Sequence, residues 1–344
     1  MFLQMSHSVE ITDTAGRFIP IPPIIEIKIE ESTKNLADFA TVKCAIFNYN
    51  NHIETPSGKS FDNNGNSENK LYKIYKRGQK IKIQLGYNGE LRPEFSGYIK
   101  EVKTDDDGMR LECEDGLFLF RKSVPNKELK KTDVKSIANY LIKNIDPSFK
   151  LICDYNISYD KFTIYKATGL DVLKKIQEET GADIFFDMEK QELHIHGAYM
   201  YKGGETFYSM QRNIESSSLE YKTSEDRKVE MTIESVGADG KTINYTTGTT
   251  GGEKITKKVG RMSREAVKTI ADIEYKNRMA DAFEGSFDTW LIPFVKPGYT
   301  IGIYDRDFPE KDSLYYCEAV SISFNESGGK RTITPGIKLS GTKK

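Results

Sequence analysis

At 344 residues the chain exceeds the usual reach of one hydrophobic core, so two or three domains are expected. Its 50 basic and 51 acidic residues nearly cancel, which removes the positive footprint of a protein that grips nucleic acid or a membrane by charge. The four cysteines, Cys44, Cys113, Cys153 and Cys317, form no CxxC pair and read as buried, reduced thiols, and no run approaches the ~20 apolar residues of a membrane span.

The opening MFLQMSHSVEIT has neither a basic leader nor a long apolar run, so folding in a cytoplasm is expected. The Asn-x-Ser/Thr triplets at Asn156, Asn244 and Asn325 then carry no glycosylation reading. The first 125 residues read as sheet. Ile81, Ile83 and Leu85 alternate with Lys82 and Gln84, the period of a strand with one buried face. Asn88-Gly89 and Asp107-Gly108 supply tight hairpin turns, giving an antiparallel meander. Before it, Asn51 to Lys70 is rich in Asn, Ser and Gly and reads as a long exposed loop.

From about residue 130 the period changes. Val134, Ile137, Ala138, Leu141, Ile142 and Ile145 make one apolar helical stripe, stopped by Asp146-Pro147. A second helix follows, with Thr168 and Asp171 as its cap, Val172, Leu173 and Ile176 as its apolar edge, and Gly181 as its terminator. ADIFFD and ELHIHG then read as a hairpin turned at Glu189 to Gln191, completing a small α+β module.

After Tyr201 the pattern is again strand-rich, with VEMTIESV and KTINYT as alternating strands and GTTGGEK as a solvated loop. One long helix is expected from its cap Ser263 through Ala266, Ile270, Ile273 and Ala280 to Gly285. Next comes AFEGSFDTWLIPFVKPGYTIGIYD, which holds the single tryptophan. Pro293 forbids an ordinary central-strand hydrogen bond there, and Trp290 is expected to pack the helix onto the last sheet. No repeat of fixed period is present, which disfavours solenoids and propellers. The fold class is mainly β with an α+β insert: two β-barrel-like domains, residues 1–125 and 201–344, flank the module at 126–200.

Chemical motifs are scarce. His194 and His196 share one strand face, but two imidazoles are not a metal site; His7 and His52 lie in expected loops, so a third ligand would have to be a carboxylate. They read as surface histidines. No GxSxG, HExxH or P-loop occurs, and the glycines from Gly248 to Gly252 open no helix that could cradle phosphate. Glu112, Glu114 and Asp115, or Asp105 to Asp107, offer carboxylates for a glycosidase pair but read as turn and strand-face charges. No catalytic, cofactor-binding or metal-ligating residue is assigned, and no cofactor is expected. The 19 Tyr and 18 Phe, spread along the strands, suit protein interfaces better than sugar platforms.

Three stretches carry a resemblance. GQKIKIQLGYNGELRPEFSGYIKEVKTDDDGMRLECED resembles the first barrel of phage tail hub proteins. ATGLDVLKKIQEETGADIFFD is similar to their middle module. SREAVKTIADIEYKNRMADAFEGSFDTWLIPFVKPGYTIGIYD, followed by SLYYCEAVSISFNESGGKRTITPGIKL, resembles their closing helix, Lys-Pro-Gly-Tyr turn and final hairpin. The family comprises the late control D proteins of contractile-tailed phages, the baseplate hubs of larger myophages and the hub portion of type VI secretion spike proteins. The resemblance implies a non-enzymatic homotrimer, each protomer supplying two barrels to a six-barrel ring that meets a hexameric tail tube, with a threefold spike on the other side. With the chain stopping at Lys344, the spike or tail-tip protein is expected to be a separate partner, beside other baseplate proteins. Neither membrane insertion nor sequence-specific nucleic-acid binding is expected. The implied location is a virion tail or prophage-derived injection particle assembled in the host bacterial cytoplasm. The alternatives from other classes are a cell-wall or carbohydrate-active enzyme and a β-rich receptor-binding module.

Overall fold

A computed structural model describes residues 3–45, 74–105, 108–225, 227–237 and 239–339. The expected loop from Asn51 to Lys70, His52, and Asp106 and Asp107 of the acidic turn lie outside the described residues.

The first seven strands are β1 (Met5–Thr12), β2 (Phe18–Ile19), β3 (Ile24–Ser32), β4 (Phe39–Cys44), β5 (Lys80–Tyr87), β6 (Glu90–Asp105) and β7 (Gly108–Glu114). Asn88 and Gly89 both have positive φ, 54° and 81°, and close the two-residue hairpin between Tyr87 and Glu90 as expected. Next come α1 (Leu117–Phe120), β8 (Lys127–Asp133), α2 (Val134–Ile145), β9 (Lys150–Cys153), β10 (Ser158–Ile164), α3 (Gly169–Thr180), β11 (Asp183–Asp187) and β12 (Glu192–His196). All six residues of the α2 stripe are buried, and Asp133 caps the helix by accepting from the Ser136 amide at 2.7 Å. The α3 capping box between Thr168 and Asp171 is complete, and Gly181 ends the helix at φ 69°.

The last part holds β13 (Glu205–Ser209), β14 (Ser216–Ser217), β15 (Glu220–Lys222), β16 (Val229–Val236), β17 (Thr242–Gly248), β18 (Glu253–Lys258), β19 (Arg261–Met262), α4 (Arg264–Arg278), β20 (Ala282–Glu284), β21 (Phe287–Trp290), β22 (Thr300–Tyr304), β23 (Ser313–Asn325) and β24 (Gly328–Leu339). Helix α4 stops at Arg278, short of the expected Gly285. Residues 282–284 are instead drawn into β20, which pairs with β15 and touches β24, so that Phe283 is buried among sheet residues. Sheet pairing there outweighs the helical period.

The fold is mainly β with an α+β middle segment. Among the described residues its main sheet has fifteen strands, and the two β-rich ends of the chain are hydrogen-bonded to each other within it. Strand β23 lies between its hairpin partner β24 and the early strand β3, with Ile29 opposite Ile322 and Ile27 opposite Phe324. Among the described residues the path from β14 to β2 does not close into a ring. Two cores result. One lies on the main sheet and mixes early residues such as Ile29 and Leu111 with late ones such as Phe287 and Ile333. The other gathers α2, α3, β11 and β12, and also receives Met231 and Ile233 of β16 with Val267 and Ile270 of α4. Between the cores runs a cleft.

Candidate functional site: the histidine hairpin and its cleft

The hairpin β11–β12 sets Asp183 opposite His196, Phe185 opposite His194 and Asp187 opposite Glu192, so that all six side chains share one face. The histidines are not the surface residues expected from the sequence. Each is only 4% exposed, because Phe185 stacks on His194 at 4.7 Å between centroids and Tyr201 leans on His196 at 4.9 Å. Polar contacts run through both rings. Glu192 Oε2 lies 3.1 Å from His194 Nε2, His194 Nδ1 lies 3.1 Å from His196 Nε2, and His196 Nδ1 lies 2.8 Å from Asp154 Oδ1. Burial pushes the His194 imidazole pKa down. Of the ligand types present, Asp187, Glu192 and His194 bring one donor atom each within 4.8 Å of one another. Strand parity alone groups Glu192 with the two imidazoles, whereas Asp187 becomes visible only once the hairpin register is known.

The hairpin end borders a cavity of about 300 Å³, which β3 and β6 bound from the main sheet. Glu31, Asp38, Glu94 and Asp115 line it, with Lys296 among them. Two of these carboxylates are matched. The fully buried Arg331 donates to Glu94 Oε1 at 2.7 Å and Oε2 at 3.3 Å, and to the carbonyls of Val295 and Leu291. Lys296 donates to Glu31 Oε1 at 2.5 Å and to the Glu94 carbonyl. Desolvation, with the Glu31 charge added, pushes the Asp38 carboxyl up to about 8. Burial likewise raises Glu31 and Asp115. None of this cluster except Asp115 stood out in the sequence, since its members come from distant strands.

Three other carboxylates singled out earlier are engaged, and the side chain of Asp105 lies outside the described residues. Glu112 accepts from Lys103 at 2.5 Å, Glu114 is buried in a two-point ion pair with Arg121, and Asp115 accepts from the Leu117 amide at 3.0 Å. Glu114 and Asp115 are therefore not the exposed strand-face charges that were expected. His7 is on β1, edge-on to Phe324. Gly248 ends β17 and the segment to Gly252 turns into β18 without opening a helix. Cys44, Cys113 and Cys317 are buried free thiols and Cys153 is half-buried. Trp290 departs from expectation: it is 49% exposed, and it is the neighbouring Leu291, 2% exposed, that enters the core. Pro293 lies outside any strand, after a cis peptide bond.

No protein-family model and no curated protein matches the sequence. Solved structures do match in shape. The tail protein from Neisseria meningitidis MC58 aligns over 98% of this chain and 97% of its own at 14% identity, with a TM-score of 0.65. The 43 kDa tail protein of prophage MuSo2 from Shewanella oneidensis aligns over 96% and 98% at 14% identity, with a TM-score of 0.62. The chain has the fold of these tail proteins. The tail-protein fold is shared by the E. coli c3393 protein, a component of the type VI secretion system with structural similarity to the T4 bacteriophage tail proteins gp27 and gp5. It aligns over 97% of this chain and 77% of its own at 12% identity, with a TM-score of 0.60.

Proposed function

We propose that the chain is a structural tail or baseplate hub that joins a hexameric tail tube to a trimeric spike or tail tip in a phage or phage-like injection particle. The observation that carries the reading is the end-to-end likeness to the Neisseria tail protein, which leaves almost no part of either chain unmatched. A fold alone does not fix function. The hub reading adds the order of sequence elements and a surface suited to assembly. Trp290 and Ile292, 49% and 50% exposed, stand close together in sequence, and Phe207 of β13 lies beside Tyr304 of β22 with centroids 6.1 Å apart. Exposed aromatic residues of this kind are enriched where proteins meet.

On this reading the protomer forms a homotrimer, and its partners are the tube protein, a spike or tail-tip protein and other baseplate proteins, inside a virion tail or related particle built in the host cytoplasm. Light scattering of the purified chain is expected to give three chain masses, and mixing with the tube protein is expected to give a ring. A stable monomer that also forms no ring with the tube protein would overturn the proposal.

A further inference from the structure

Asp187, Glu192 and His194 at the turn end of the hairpin each bring one ligand atom within 4.8 Å of the others. The His194 ring, 4% exposed, is fixed by Phe185 stacked on it and by Tyr201 edge-on to it. Its Nδ1 lies 3.1 Å from His196 Nε2, and His196 Nδ1 lies 2.8 Å from Asp154 Oδ1, so the Nε2 is the nitrogen turned to the two carboxylates.

A second observation points to a cation at this end of the hairpin. Asp187 and Glu192 are direct cross-strand partners at the end of the hairpin, and like charges so placed repel. The Asp187 side of this clash is answered by Lys190, whose ammonium lies 2.8 Å from Asp187 Oδ2 but whose side chain is 64% exposed and free to swing into water. Glu192 Oε2 and His194 Nε2, 3.1 Å apart, are spaced as two ligands of one ion with bonds of about 2.0–2.2 Å.

We propose that Asp187, Glu192 and His194 bind one divalent first-row transition ion of the zinc class, with His196 and Asp154 as the outer chain that holds the ligating ring. In that state His194 gives its Nε2 lone pair to the metal, His194 Nδ1–H donates to His196, and His196 Nδ1–H donates to Asp154. Both rings are then neutral, and every contact is satisfied. Outer partners of this kind fix the tautomer and orientation of a ligating histidine. Asp187 exchanges its contact with the exposed Lys190 ammonium for one with the ion. Imidazole with carboxylates suits zinc and its neighbours more than calcium or magnesium. The ion would tie the two strands of the hairpin together at its turn.

The test is zinc titration of the full chain after chelator treatment and buffer exchange, read by calorimetry, with cobalt absorption as the signature of ligand geometry. One equivalent of zinc is expected. Glu192→Gln and Asp187→Asn, both at the hairpin end and checked for folding by circular dichroism, are each expected to weaken binding by about tenfold or more, and the outer variant Asp154→Asn by about 10–100-fold. His7→Gln is expected to leave binding unchanged. Absence of saturable zinc uptake by the folded wild type would overturn the assignment, as would equal affinity in the wild type, Glu192→Gln and Asp187→Asn.

Discussion

Arg331 is the largest fully buried side chain among the described residues, and its charge is carried by Glu94 with two backbone carbonyls. Breaking such a pair leaves one charge stranded, so Glu94→Gln should cost about 3–5 kcal/mol in urea unfolding, while Glu94→Leu combined with Arg331→Met should cost less than the single change. Asp38 gives a pH dependence of definite sign. Its carboxyl sits near 8 in the fold against an ordinary 3.8, so the folded state holds a proton that the unfolded chain releases first. That contribution to stability is complete below about pH 4 and is lost as pH rises through about 8. Asp38→Asn should therefore flatten the fall in melting temperature between pH 5 and pH 9, with Glu31 and Asp115 retaining part of the slope. An unchanged slope in the variant would refute the assignment. At the tryptophan stretch the cost should follow burial: Leu291→Ala about 2–5 kcal/mol and Trp290→Ala about 1 kcal/mol or less. On the hub reading, the Trp290 variant loses assembly instead, which light scattering would register.

At the scale of elements, the capping box of α3 is the clearest local signal, and Thr168→Ala should lower stability by about 1 kcal/mol in denaturant titration. Here the sequence is readable because cap, stripe and terminator lie within a few residues of one another. The same holds for α2 and for the Asn88-Gly89 hairpin. The far end of α4 is misread because the helical pattern runs on through Ala280 toward Gly285, while the backbone from Ala282 to Glu284 is claimed by strands on both sides. The histidine site is half legible. Strand parity places His194 and His196 together, but their burial depends on Phe185 and Tyr201. The partnership of Asp187 with Glu192 depends on a turn register that composition does not dictate. The Glu31, Glu94, Lys296 and Arg331 cluster has no local signature at all, being assembled from strands far apart in sequence.

At the scale of the whole molecule, the strand β23 decides what is separable. Because β3 faces β23 on one side and β4 on the other, residues 1–125 expressed alone would leave the Ile27 and Ile29 region without its late partner. Such a fragment should show no cooperative thermal transition by circular dichroism, whereas the full chain should. A sharp transition in the fragment would show that the early strands complete a core unaided. The long-range pairing also sets a clock on synthesis. Thr33 and Glu318, joined across that seam, are 285 residues apart. At about 5–20 residues per second on the ribosome, the early strands wait about 15–60 s for the segment that covers them. Throughout that interval β3 lacks the strand that covers its second edge, and an unpaired edge is a template for pairing with another chain before the subunit can be a part of anything larger.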